Sequence, residues 1–181
     1  MKKIINVLII SAVLLLLAAC GAKEPANRLE AIQGKGTIVV GTSADYEPWE
    51  YMDENNEFAG IDMEIMRELA SRMDVEVEFQ DLGFDALVAA VQEGKVDAAI
   101  AAMAATEDRK QSVDFTDVYY AGDNVILTTA DSGIAFTDPL EAAQYTIGTQ
   151  TGTIMQYWVE DNLITPGLMS EDNLSLYERN E

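Results

Sequence analysis

Between Thr37 and Ala102 the chain alternates between two hydrophobic periods, and that alternation restricts the fold more than any other feature. Thr37 to Thr42 (TIVVGT) is a β-branched run of strand character. Ile61, Ile65, Met66, Leu69, Ala70 and Met73 recur at three- and four-residue spacing, which predicts an amphipathic helix. Val75 to Phe79 alternates as a strand. Phe84, Leu87, Val88 and Val91 predict a second helix, stopped by Gly94, and Val96 to Ala102 is a continuous apolar run of strand length. Strand–helix–strand–helix–strand implies an α/β fold of parallel βαβ units with right-handed crossovers. Met63, Met66 and Met73 lie on helical spacing and read as core. Asn124 to Thr129 and Tyr145 to Thr149 read as further strands, and Thr153 to Glu160 as a helix.

The pattern thins towards the C-terminus. After that helix come a Pro166-Gly167 break and a polar end, Tyr177 to Glu181. A second α/β layer is begun, and one strand with one helix cannot bury both faces of a sheet. The expectation is a fragment of a longer protein.

The N-terminus reads as an export signal. Lys2 and Lys3 precede an apolar run from Ile4 to Leu17, followed by Ala18-Ala19-Cys20-Gly21. The run is short for a membrane span, which needs roughly 20 residues. Cys20 is the chain's single cysteine, so no disulfide partner exists within it. The string resembles a bacterial lipobox, which implies cleavage before Cys20 and a lipid such as palmitate on its sulfur. An ordinary signal peptide or an uncleaved anchor is the alternative. Residues 1–19 are then the signal, and 20–36, polar with Pro25, Gly34 and Gly36, a lipid-anchored tether with a short amphipathic lead-in.

Hydrophobic residues make up 49% of the chain and charged ones 24%, an ordinary globular balance that argues against disorder. The formal charge is −21, from 32 acidic and 11 basic residues; without Lys2 and Lys3 it becomes −23. Such a surface repels nucleic acid and anionic lipid, so contact with a membrane would rest on the lipid. There is no histidine, which removes the commonest general base and metal ligand. No metal site and no cofactor are expected. Asp45, Glu47 and Glu50 lack the spacing and glycine of a calcium loop.

In an open parallel sheet, ligands bind beyond the carboxyl ends of the strands. The first end carries Ser43 to Tyr51 with Tyr46 and Trp49, the second Asp81 to Asp85 with Phe84, and the third Ala101 to Arg109. An aromatic wall with one guanidinium suits a small organic anion, since arginine grips a carboxylate through two parallel hydrogen bonds. Thr106 is placed to cap the helix carrying Arg109. On spacing alone Arg109 could instead pair with Glu107 or Asp108, Phe84 could be core, and Tyr46 and Trp49 could pack under Pro48. Asp62 and Glu64 read as a charge effect at a helix start, with little support as acid and base, and Asp97 as the end of a turn.

The strings GTSADYEPWEY, FAGIDMEIMRELA, FDALVAAVQEGKVDAAIAAM, ATEDRKQSVDFTDVYY and IGTQTGT occur in order from about Thr37 to Thr153. Together they resemble the extracellular solute-binding proteins of family 3, the amino-acid receptors of ABC importers. The resemblance implies a type II periplasmic-binding-protein-like fold of two α/β lobes closing over an amino acid. Lobe 1 would span residues 37–125, and 126–181 would hold the crossover and an incomplete lobe 2. It further implies that Tyr46 and Trp49 flank the pocket and that Phe84 stacks on the ligand side chain. Ala102 and Ala104 would offer backbone groups, Arg109 would bind the α-carboxylate, and Gln150 and Thr153 would contact the ligand from the second lobe.

Alanine at 102 and 104 departs from the serine, glycine or hydroxyl residues frequent in the family and leaves the carboxylate to Arg109 and backbone amides. Ser43 stands where many receptors for basic amino acids carry an acid, which weakens the case for a basic ligand. The family's acidic partner for the ligand ammonium finds no match. The implied protein is a non-enzymatic, extracytoplasmic, membrane-anchored receptor that delivers an amino acid to an ABC permease. An enzyme on the same scaffold, dehydratase-like, and a ligand-sensing module are the alternatives.

Overall fold

The computed structural model describes residues 26–180. The signal segment and Cys20 lie outside the described residues. The chain divides into two compact units between Lys35 and Gly36. In the first, helix α1 (Arg28–Lys35) begins at Asn27, whose Oδ1 accepts the Glu30 amide at 2.9 Å. The Glu30 carboxylate accepts the Ala26 amide at 2.9 Å in return, and such reciprocal bonds satisfy amides that a first helical turn leaves unpaired. The expected tether is thus helical from Arg28 to Lys35.

The second unit opens with β1 (Thr37–Thr42), β2 (Asp45–Tyr46), β3 (Glu50–Met52) and β4 (Phe58–Ala59), then α2 (Ile61–Arg72), β5 (Glu76–Asp81), α3 (Leu87–Gln92) and β6 (Ala98–Ala99). β1 is the centre of a parallel sheet of order β5-β1-β6, in register from Thr37 opposite Glu76 to Thr42 opposite Asp81. β1 is buried from Ile38 onward, as an apolar run covered on both faces should be. β5 alternates, with Val77 and Phe79 half-buried and Glu76 and Glu78 exposed. Val39, Ala90 and Val96 form a core cluster joined by Leu82 and Val91. β2, β3 and β4 make a small antiparallel ribbon beyond β1.

Then come α4 (Glu107–Lys110), a 3-10 turn (Pro139–Gln144), β7 (Ile147–Gln150), α5 (Ile154–Val159), which runs on into a π turn, and β8 (Leu174–Tyr177). β7 and β8 pair in parallel. Ala142, Val159, Leu163 and Met169 form the core beside them, with Phe136, Trp158 and Leu174 packed against it. No helix of the described residues is long and apolar enough to cross a membrane.

Four expectations are corrected. Asn124 to Thr129 forms no strand: no pairing of the described residues includes it, and Val125 and Leu127 are 84% and 93% exposed. A β-branched run becomes a strand only where a neighbour completes its hydrogen bonds. The third strand is shorter than its apolar run, with its ladder confined to Asp97–Ile100 against Val39 and Gly41, before the chain turns at Ala102 (φ 44). Between the Pro166-Gly167 break and the polar end lies a strand, β8, that its Leu174 and Leu176 alternation signals only weakly. The buried face of α2 is Asp62, Met63, Met66 and Ala70, with Ile61 and Leu69 turned out.

Candidate functional site

The carboxyl ends of β1, β5 and β6 meet the ends of β7 and β8. At β5, Asp81 accepts the Ala44 amide through Oδ1 at 3.0 Å, which ties the β1 and β5 ends together. Arg179, just past β8, donates to Asp81 at 2.8 and 3.3 Å, a two-pronged contact. At β1, Asp45 Oδ2 accepts from Gln150 Nε2 at 3.3 Å and from the Asn180 amide at 3.2 Å. Gln150, at the end of β7, is buried; its Nε2 also donates to the Glu178 carbonyl at 3.3 Å and its Oε1 accepts from Asn180 Nδ2 at 3.0 Å.

Arg109 lies at the middle of this junction. The Thr106 hydroxyl caps α4 by accepting the Arg109 amide at 3.3 Å. The guanidinium is half-buried. It donates through Nη1 to the Ala104 carbonyl at 2.7 Å and through Nη2 to the Gly152 carbonyl at 2.9 Å. Its Cζ stands 5.3 Å from the centre of the Phe84 ring, within cation–π range. Burial lowers the Arg109 pKa, yet an arginine stays charged at any physiological pH. The pairing with Glu107 or Asp108 left open by spacing is not made: the Glu107 carboxylate holds Lys110 at 2.8 Å.

Gly152 (φ 77) fits this place because a Cβ there would come within 2.9 Å of Asp85 Cβ, and its φ suits glycine. Thr153 is buried and caps α5, accepting the Gln156 amide at 3.3 Å while donating to the Gln150 carbonyl at 2.7 Å. Ala102 is exposed and Ala104 half-buried. The structure therefore gathers Phe84, Ala104 and Arg109 with Gly152, and links Gln150 to Asp45. Tyr46 is 43% exposed on β2. Trp49 turns to Tyr120, ring centres 4.4 Å apart, rather than to Arg109. Thr153 spends its hydroxyl within its own turn.

Sequence reasoning missed Asp45, Asp81, Gly152, Arg179 and Asn180 as partners across the junction, and no local pattern announces contacts between residues up to 135 positions apart. It also missed the role of Asp62. That residue is fully buried, and its Oδ2 accepts the Ala102 amide at 2.8 Å and the Tyr119 hydroxyl at 2.9 Å. The spacing Asp62, Met66, Ala70 on one helical face was the available signal. Asp97 instead accepts the Val39 amide at 2.9 Å, a structural bond within the sheet. Among the described residues no group of three or more acidic, histidine or cysteine side chains is placed to hold a metal ion.

The arrangement offers a fixed cation over an aromatic ring, where strand ends of two sheets meet. The chain is similar to several known proteins. The chain is 36% identical over 156 residues to the arginine-binding extracellular protein ArtP of Bacillus subtilis, covering 86% of this chain and 58% of that protein. It is 34% identical over 124 residues to the ABC transporter arginine-binding protein 1 of Escherichia coli, covering 68% of this chain and 50% of that one. The chain thus spans between half and three-fifths of these relatives' length. Among solved structures it matches the arginine-bound form of a truncated ArgBP from T. maritima (TM-score 0.75, 30% identity, 83% of this chain and 68% of that one). It also matches the ancestral amino acid-binding protein AncCDT-1, a precursor of cyclohexadienyl dehydratase (TM-score 0.74, 30% identity, 85% and 66%). The α/β, type II periplasmic-binding-protein-like fold is shared with these structures. The model of the bacterial extracellular solute-binding proteins, family 3, matches residues 38–179, and the chain belongs to that family.

Proposed function

We propose that this chain captures a free amino acid as the substrate-binding part of an ABC importer and delivers it to a membrane permease. The observation that carries the reading is Arg109, held half-buried over Phe84 between carbonyls of two strand-end loops. A guanidinium has more N–H donors than these two carbonyls accept, and its planar fork matches a carboxylate. Phe84 and Tyr46 supply apolar surface for the ligand side chain, Trp49 flanks them, and Ala102, Ala104, Gln150 and Thr153 complete the contacts. Residues 37–125 act as one lobe, and 126–181 belong to the crossover and second lobe.

Binding here needs no bond made or broken, and the relatives above are named as binding proteins rather than enzymes. The protein works outside the cytoplasm, held to the membrane by a lipid on Cys20. Replacing Cys20 with serine would release it to the medium if the anchor is real, and would leave it with the membrane fraction if the apolar segment itself is the anchor. The binding reading is tested by thermal shift with each common L-amino acid, arginine and histidine first. At least one should raise the melting temperature, and the shift should vanish in Arg109→Ala. A folded protein that none of them stabilises would overturn it.

A further inference from the structure

Glu50 and Asp62 are the acidic side chains among the buried described residues, at 1% and 0% exposure, and none of the ligand contacts assigned above uses them. Glu50 lies on β3 and Asp62 in the first turn of α2. Gly60 brings the two elements together. Its φ of 117 suits glycine, and a Cβ there would run into the carbonyl of Trp49. The α2 amides of Ile61 and Asp62 can then donate to the Pro48 and Trp49 carbonyls at 3.0 and 2.9 Å.

In this setting the two carboxyl groups are close enough for the Asp62 charge to raise the pKa of Glu50. Two ionised carboxylates only accept hydrogen bonds and repel each other. Glu50 Oε2 and Asp62 Oδ1 are also fully buried with no hydrogen-bond partner, and leaving buried polar atoms unmatched is costly. One shared proton meets both needs. Asp62 is the better site for the charge: its Oδ2 accepts the Ala102 amide and the Tyr119 hydroxyl, and it sits at a helix N-terminus, which favours an anion. Glu50 therefore holds the proton. Burial first, then the charges of Asp62 on α2 and Asp45 on β2, push its pKa up to about 10. The remaining titratable neighbour, Tyr119, is raised by burial and by Asp62, so it stays a neutral donor.

We propose that the Glu50–Asp62 pair shares one proton and serves as a positioning device for the ligand site, with Asp62 fixing the Ala102 amide and the Tyr119 hydroxyl. The inference rests on the amino-acid reading of the Arg109 site. Ala102 is a non-glycine residue in the left-handed region, a conformation that persists only where surroundings impose it. Asp62 imposes it. Two residues on, the Ala104 carbonyl receives Arg109. The buried pair thus sets the backbone from which the guanidinium is aimed.

Three proteins decide the matter: the wild-type chain, Glu50→Gln and Asp62→Asn. Each is assayed for L-amino-acid affinity from pH 6 to 10 and for hydrogen exchange at the Ala102 amide. Glu50→Gln keeps a donor towards Asp62 and has no proton to lose. Relative to its own value at neutral pH, its affinity should hold where that of the wild type weakens towards pH 10. Loss of the ligand's own ammonium proton affects both proteins alike and cancels in the comparison. Asp62→Asn should weaken binding at least tenfold and speed Ala102 exchange at least tenfold. Binding and exchange unchanged in Asp62→Asn, or identical pH profiles for wild type and Glu50→Gln, would overturn the inference while leaving the receptor reading intact. If Asp62→Asn fails to fold by circular dichroism, Tyr119→Phe replaces it with the same expectation in reduced size, and the Glu50→Gln profile still decides. If the wild type binds no amino acid, the receptor reading fails and the positioning claim fails with it.

Discussion

At Arg109 the proposed chemistry comes down to one planar cation. Its two carbonyl contacts and the Phe84 ring hold it in place, so little rotamer entropy is left to lose on binding a carboxylate. Truncating one partner of a buried, hydrogen-bonded charge pair costs about 2–5 kcal/mol, or roughly thirty- to several-thousand-fold in Kd. Arg109→Ala should lose that much by isothermal titration. Arg109→Lys keeps the charge without the fork and should recover only part of it; equal affinity in Arg109→Lys would mean that a point charge suffices. Glu50 makes a second prediction, on stability. It loses its proton near pH 4.5 when unfolded and near 10 when folded. Between those values the fold binds the extra proton, so stability falls as pH rises through the window. Urea unfolding should show wild type losing more stability than Glu50→Gln from pH 6 to 9. Parallel losses would place the proton elsewhere. Arg109 could be picked out from the sequence because its surrounding string is distinctive; Glu50 could not, because an acid on a short ribbon strand looks solvated until the fold buries it.

The elements divide by how local their causes are. β1, α2, β5 and α3 were legible because a buried face writes a period into the sequence. The rotation of α2 was not, since Ile61 and Leu69 look as apolar as Met63 and only packing decides which faces in. Residues 124–129 were misread because β propensity does not say whether a neighbour is there to pair. Junction geometry depends on two glycines and a cap. Gly60→Ala would force a Cβ into the Trp49 carbonyl at a φ that side chains resist, a strain of about 1–3 kcal/mol, visible as a lower urea midpoint. Thr153→Ala removes the α5 cap and should cost about 1 kcal/mol. The proposed ligand contact of Thr153 predicts a larger loss of affinity than of stability in Thr153→Ala, and equal losses would leave it only the cap.

Across the whole molecule, charge is the dominant property. A formal charge of −21 makes the surface repel itself. The exposed ion pairs, such as Arg72 with Glu68 and Lys95 with Glu93, offset little of it, at about 0–1 kcal/mol each. Melting temperature should therefore rise as salt is added at neutral pH, because screening weakens the repulsion more than the few attractions. A fall would show that cross-junction pairs such as Arg179 with Asp81 dominate. The same charge leaves Arg109 as a half-buried cation in an acidic surface, and recognition of a carboxylate must then be local rather than steered from afar. The most direct test is isothermal titration of the purified chain with the common L-amino acids, beside Arg109→Ala. The account predicts saturable one-to-one binding of at least one amino acid to the wild type and binding weaker by roughly thirtyfold or more in the variant. Folded wild-type protein that binds no amino acid, or an Arg109→Ala variant that binds as tightly as wild type, would contradict it.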